Sequence, residues 1–162
     1  MPDDKPRQKP PIAAADVPGQ RGSTGYPPPW RLLVQGRTKR KIGDWFNLTR
    51  FGVNLTTLEP GAASSVMHCH ATQDELVYVL SGQPTLVMDD TSQVLGPGDC
   101  IGFPAGTGVA HQFVNDSDEP AVILEIGDRD PSDRVDYPHD DLRAEFRDGS
   151  WVFLNRDGQP FE

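Results

Sequence analysis

Three of the four histidines in this 162-residue chain stand where chemistry can use them. His68 and His70 are one residue apart in a run of β-forming character. Strand alternation therefore points both imidazoles to one face and Cys69 to the other. Glu75 follows five residues after His70, across a short turn, and opens the next predicted strand. His111 opens a later strand, directly after a loop rich in Pro and Gly. In an antiparallel barrel these strands can be neighbours, so that three imidazoles and one carboxylate meet at one point. Borderline nitrogen donors with a hard oxygen suit a divalent transition metal: Zn, Fe, Mn, Ni, Co or Cu. Such a centre keeps positions open for water or an oxygen ligand, where it can polarise a carbonyl, stabilise an enediolate or activate water; redox-active iron adds dioxygen chemistry. His139, in an acidic stretch, reads as a hydrogen-bonded or exposed residue outside this set.

The elements that must position these groups are short strands. β-type runs are predicted at 49–58, 63–69, 75–80, 85–88, 93–95, 99–103, 109–114 and 121–126, separated by Pro, Gly, Asp and Asn turns. Eight short strands at this spacing imply an all-β sandwich or barrel of the jelly-roll type. After Asp128 the chain turns acidic and irregular, with a short helix predicted at 140–146. A last strand is predicted at 151–154, flanked by Asp148-Gly149 and Asp157-Gly158. Residues 1–30 hold eight of the sixteen prolines, which remove amide donors and fix φ; this Pro-rich stretch reads as an extended arm anchored by Tyr26 and Trp30, its first twenty residues equally compatible with disorder. The expected organisation is an arm at 1–30, a barrel at 31–128 and an extension at 129–162 that packs on the barrel.

Around the histidines the pattern is longer than a metal site alone requires. Residues 61–82 read Gly61, six residues, His68-x-His70, four residues, Glu75, six residues, Gly82. Residues 98–115 read Gly98, five residues, Pro104-x-Gly106, four residues, His111, three residues, Asn115. These strings resemble the two motifs of the cupin superfamily, in order and on the expected strands. The resemblance implies a single-domain cupin double-stranded β-helix with His68, His70, Glu75 and His111 as ligands of one divalent metal (Zn, Fe, Mn or Ni). Two spacers depart from the common form: Gly61 to His68 is one residue longer, and Gly106 to His111 two longer, with Thr107 and Gly108 as the extras. Residues 26–142 also look like a group of small bacterial single-domain cupins, some of which bear the name sugar-phosphate isomerase.

Two functional classes follow. One is a metal-dependent enzyme acting on a small oxygenated metabolite by isomerase, lyase or dioxygenase chemistry, with a sugar phosphate as one alternative substrate. The other is a non-catalytic module that senses a small ligand; residues 1–50 show no helix-turn-helix pattern, which lowers that reading. Acid–base partners are harder to name. Either Phe51, Val53 and Leu55 or the alternate set Arg50, Gly52 and Asn54 lines the barrel; Arg50 and Asn54 would be its polar contacts for a substrate oxyanion. Tyr78, three residues after Glu75, turns to the opposite face. Cys69 and Cys100 read as buried packing residues.

Charge narrows the partners. Residues 1–50 hold ten Lys/Arg against four acids, whereas 51–128 hold eleven acids and no Lys or Arg. A net charge of −9 argues against a nucleic-acid partner. The basic run Arg37, Lys39, Arg40, Lys41 reads as a solvated loop. Clamps for a phosphorylated substrate could come only from Arg31, that run, Arg50 or the C-terminal arginines. With no apolar run long enough to span a membrane, no secretory signal and two cysteines, a soluble cytoplasmic protein is expected. Exposed sheet edges in so small a sandwich point to a homodimer.

Overall fold

The computed structural model describes residues 8–161, and the first seven residues of the Pro-rich arm lie outside the described residues. In chain order the strands are β1 (Gly19–Arg21), β2 (Arg37–Lys41), β3 (Phe51–Leu58), β4 (Cys69–His70), β5 (Glu75–Ser81), β6 (Thr85–Met88), β7 (Thr91–Val94), β8 (Cys100–Phe103), β9 (His111–Val114), β10 (Ala121–Asp128), β11 (Arg134–Tyr137), β12 (Leu142–Arg147) and β13 (Ser150–Leu154). One sheet runs β1-β2-β3-β10-β5-β8. Facing it are β13-β12-β11-β4 and β7-β6-β9, which isolated bridges Ala63↔Val114 and His68↔His111 stitch together. The strand pairings among the described residues are all antiparallel, and the result is the expected all-β jelly-roll barrel.

Alternation decides what the barrel holds. On β5, Glu75, Val77 and Val79 point inward, while Leu76, Tyr78 and Leu80 stand on the outer face at 42%, 38% and 45% exposure. Leu58, Val77, Val79, Phe103, Phe113 and Ile123 fill one end as an apolar core. Further along the same inward positions the residues turn polar: Asn54 and Thr56 on β3, Glu125 on β10, Glu75 on β5. A second cluster, on β11 and β12, joins Tyr26 and Val34 to Val135, Tyr137, Leu142 and Ala144. There Tyr26 meets Phe153 edge-on at 5.2 Å, and Trp30 donates to Asp140 Oδ1 at 2.8 Å.

Three local readings need correction. The basic run is no solvated loop: it is β2, paired along β3, with Arg37 buried and its guanidinium donating to the Ser64 and Ser23 carbonyls. An open edge of β3 needs a partner, and the basic side chains are tolerated in β2, which β1 covers on its other side, because alternate positions face a polar cavity. Residues 140–146 form no helix; β12 sits between β11 and β13, with Leu142 and Ala144 buried at period two. Helix formers such as Arg143, Ala144 and Glu145 yield there to a tertiary partner on each side. The predicted strand at 63–69 reduces to β4 plus single bridges at Ala63 and His68, and His70 belongs to β4.

Gly82 ends β5 at φ 77°, and a Cβ there would lie 2.6 Å from the Pro120 carbonyl oxygen. Gly82→Ala is therefore expected to cost at least about 1–3 kcal/mol, read as a lowered urea midpoint at unchanged slope.

Candidate metal centre

Three elements deliver the four expected ligands. β4 and the bridge before it present His68 and His70, β5 begins with Glu75, and β9 begins with His111. The backbones of His68 and His111 exchange hydrogen bonds at 3.1 and 2.9 Å, which sets those two rings 4.7 Å apart. Nε2 of His68, His70 and His111 lies 3.8, 3.9 and 3.0 Å from one atom, Glu75 Oε2. His68, His70 and Glu75 bring their ligand atoms within 4.8 Å of one another; His111 joins through Glu75. Neighbouring ligands around a divalent ion with bonds near 2.1 Å are separated by about 3.0–3.4 Å, so the spacing of His68, His70 and Glu75 fits one cation with small adjustments, while His111 lies outside that group of three and touches it through Glu75.

The far sides of the rings decide whether the near sides can bind. His68 Nδ1 donates to the Val66 carbonyl at 2.9 Å, and His70 Nδ1 donates to Asp133 Oδ2 at 2.6 Å. In both rings the proton is thus on Nδ1, and the Nε2 lone pair faces the centre. His111 differs: its Nε2 donates to Glu75 Oε2 at 3.0 Å, and its buried Nδ1 has no partner among the described residues. That proton would have to leave for Nε2 to coordinate a cation, so binding there would release a proton. Phe103 stacks on the His111 ring at 3.5 Å and holds its plane.

Electrostatics agree with a ligand set. Burial, helped by His111 and His70 and opposed by Glu75, lowers His68 to about 3, so this imidazole is neutral. Burial pushes Glu75 up, but the His111 hydrogen bond and the neighbouring histidines outweigh it and bring the carboxyl down to about 2. Both shifts make the unfolded chain bind more protons than the folded one, so stability is lost on acidification: for His68 as pH falls from 6.5 towards about 3, for Glu75 from 4.5 towards about 2. Urea titrations of metal-free protein are expected to show stability falling by roughly 1 kcal/mol per pH unit near pH 5 from His68. A flat profile there would contradict a buried neutral ring.

The four candidate ligands open on a cavity of about 720 Å³ that Lys39, Lys41, Asn54, Glu125 and Arg129 also line. Glu125 accepts from Thr56 Oγ1 at 2.6 Å and pairs with Lys39 at 3.0 Å. Arg129 is paired with Asp44. Burial raises the phenols of Tyr26 and Tyr137 above their ordinary range, so both stay protonated at the cavity wall. Of the other candidates, Asn54 lines the cavity, whereas Arg50 is exposed just before β3 begins. Tyr78 faces outward, as alternation requires, and His139 is exposed. Cys69 is half-buried, its thiol raised by burial. Cys100 is a correction: it is exposed, because it pairs with outward-facing Tyr78 on the edge strand β8.

Sequence reasoning missed Glu125 and Asp133, whereas Lys39 belongs to the basic run named as a source of clamps and does line the cavity. Glu125 had a signal, an acid at an inward position of the otherwise apolar run 121–126. Asp133 had none, since its segment read as irregular chain.

The cupin domain profile matches residues 54–127, from β3 to β10. A sugar phosphate isomerase of the cupin superfamily from Silicibacter pomeroyi is 37% identical, with 94% of this chain and 97% of that chain covered and a TM-score of 0.88. A protein from Acidithiobacillus ferrooxidans, whose name gives the same activity as unproven, is 36% identical over 80% of this chain and 84% of that one, TM-score 0.71. A polyketide cyclase from Streptomyces resistomycificus, 23% identical, covers 74% of this chain and 79% of its own at TM-score 0.57, and shares the fold. No curated protein matches the chain.

Proposed function

The chain belongs to the cupin superfamily, and on that premise we propose that it is a metal-dependent enzyme acting on a small oxygenated metabolite. The barrel does not choose a reaction, because one scaffold hosts many. The observation that carries the reading is the approach of three imidazole Nε2 atoms to one Glu75 oxygen at the wall of a polar cavity. His68, His70, Glu75 and His111 would hold one divalent cation, Zn, Fe, Mn or Ni. Bound there, it supplies Lewis-acid polarisation of a carbonyl or hydroxyl oxygen. The chain's own groups complete the site. Glu125, held by Thr56 and Lys39, is a carboxylate able to take and return a proton in the cavity. Asn54 offers an amide to a substrate oxygen.

Within this class, isomerisation of a sugar phosphate is the finer reading. It is supported by the name of the 37% identical relative and by β2, which carries Lys39 and Lys41 to the cavity. Those side chains supply positive charge that the segment 51–128 lacks. Elemental analysis of protein purified without added metal tests the metal premise. About one equivalent of a transition metal per chain supports it. Metal-free protein that also declines added Zn²⁺, Fe²⁺, Mn²⁺ and Ni²⁺ ends it. A panel of aldose and ketose phosphates followed by NMR then separates an isomerase from a sensor, which binds without turnover.

The proposal includes a homodimer in the cytoplasm. Leu76, Tyr78 and Leu80 leave an apolar strip on the outer face of β5, and both cysteines are free thiols. Light scattering at micromolar concentration is expected to give twice the chain mass of 17.8 kDa; a clean monomer counts against the dimer.

A further inference from the structure

We propose that Asp133, which lies outside the matched cupin domain, is a positioning residue of the metal centre: it holds His70 in the tautomer that presents Nε2 and ties down the turn leading to Glu75. The proposal rests on the metal reading above.

The Asp133 side chain is fully buried, and among the described residues no Lys or Arg pairs with it. A buried carboxylate without a cation is costly unless hydrogen bonds satisfy it. Packing of the extension would be served as well by an apolar residue, so the carboxylate calls for a polar role. Its two oxygens divide the work. Oδ2 accepts from His70 Nδ1 at 2.6 Å. Oδ1 accepts from the Thr72 amide at 2.9 Å, the Thr72 hydroxyl at 3.3 Å and the Gln73 amide at 3.3 Å. These donors lie in the turn between His70 and Glu75, so one side chain sets the orientation of one ligand and the path to the next.

The extension places Asp133 there. β11 pairs with β4 in the register Val135↔His70, and the Ala71 amide donates to the Arg134 carbonyl at 2.9 Å. That leaves Asp133 at the strand's entry, level with the turn. An ionised carboxylate only accepts, so the ring proton is pinned on Nδ1 and the Nε2 lone pair is kept for a cation. Outer partners of this kind are worth 10–100-fold in metal affinity.

Asp133→Asn tests this because an amide cannot accept on both sides. In either orientation its NH₂ opposes the His70 ring N–H or the Thr72 and Gln73 amides. The dissociation constant for Zn²⁺, measured by chelator competition, is expected to rise about 10–100-fold. Thr72→Val removes only the hydroxyl contact to the same carboxylate and is expected to leave that constant close to wild type. Asp133→Asn that binds Zn²⁺ as tightly as wild type overturns the proposal, as do two variants that weaken binding equally, since the role is then mere support of the turn. A measurement on metal-free wild type is independent of whether the variant folds: long-range ¹H–¹⁵N correlations should show His70 as the Nδ1–H tautomer, and Nε2–H would overturn it. Wild type that binds neither Zn²⁺ nor any other divalent transition metal removes the metal reading itself, a result distinct from a failure of Asp133 alone.

Discussion

His68→Ala is expected to take the metal content of the purified protein from about one equivalent per chain to background while the barrel still folds. The imidazole is a neutral donor held in place before any cation arrives, because Val66 and burial fix its tautomer and suppress its protonation. Alanine keeps the backbone bridge to His111, which is what the fold itself uses at this position. Loss of the cation also removes the stabilisation that binding confers, about 4 kcal/mol for a metal present at a thousand times its dissociation constant. For a chain of this size that is a fall in Tm of roughly 8–16 °C. Elemental analysis and calorimetry of the two proteins side by side measure both effects. Stoichiometric metal retained by the variant would remove His68 from the ligand set.

Phe113→Ala should be the most damaging single truncation in the barrel, at about 3–5 kcal/mol. Its side chain is 1% exposed in the apolar core, edge-on to Phe103 at 6.3 Å. Phe103 in turn stacks on His111, so the cavity left by Phe113 opens directly behind a ligand's support. Against a typical stability of about 5–15 kcal/mol this is a large share. The variant is therefore expected to show a much lower urea midpoint and weaker Zn²⁺ binding together. A midpoint within error of wild type would mean that the core lies elsewhere.

The two predictions draw on parts of the chain that were legible to different degrees. Phe113 and the ligands could be read because strand alternation and motif spacing are local properties: His68 and His70 share a face whatever surrounds them. β2, β11 and β12 could not. Arg37–Lys41 is strongly basic and Leu142–Arg147 is rich in helix formers, so neither has the composition of a strand. Both are strands because β3 and β11 offer unpaired edges, and the hydrogen bonds gained there outweigh weak local preference.

The order of the candidate ligands, the class of metal that would suit them, the barrel type and the absence of Lys and Arg from 51–128 were all legible in residue types and their spacing alone. Only the tertiary structure decided that Asn54 rather than Arg50 reaches the cavity, that Lys39 pairs with Glu125, and that Asp133 stands behind His70. Each of these is a contact between segments far apart in the chain. It depends on strand register, and a shift of one residue turns every side chain to the other face.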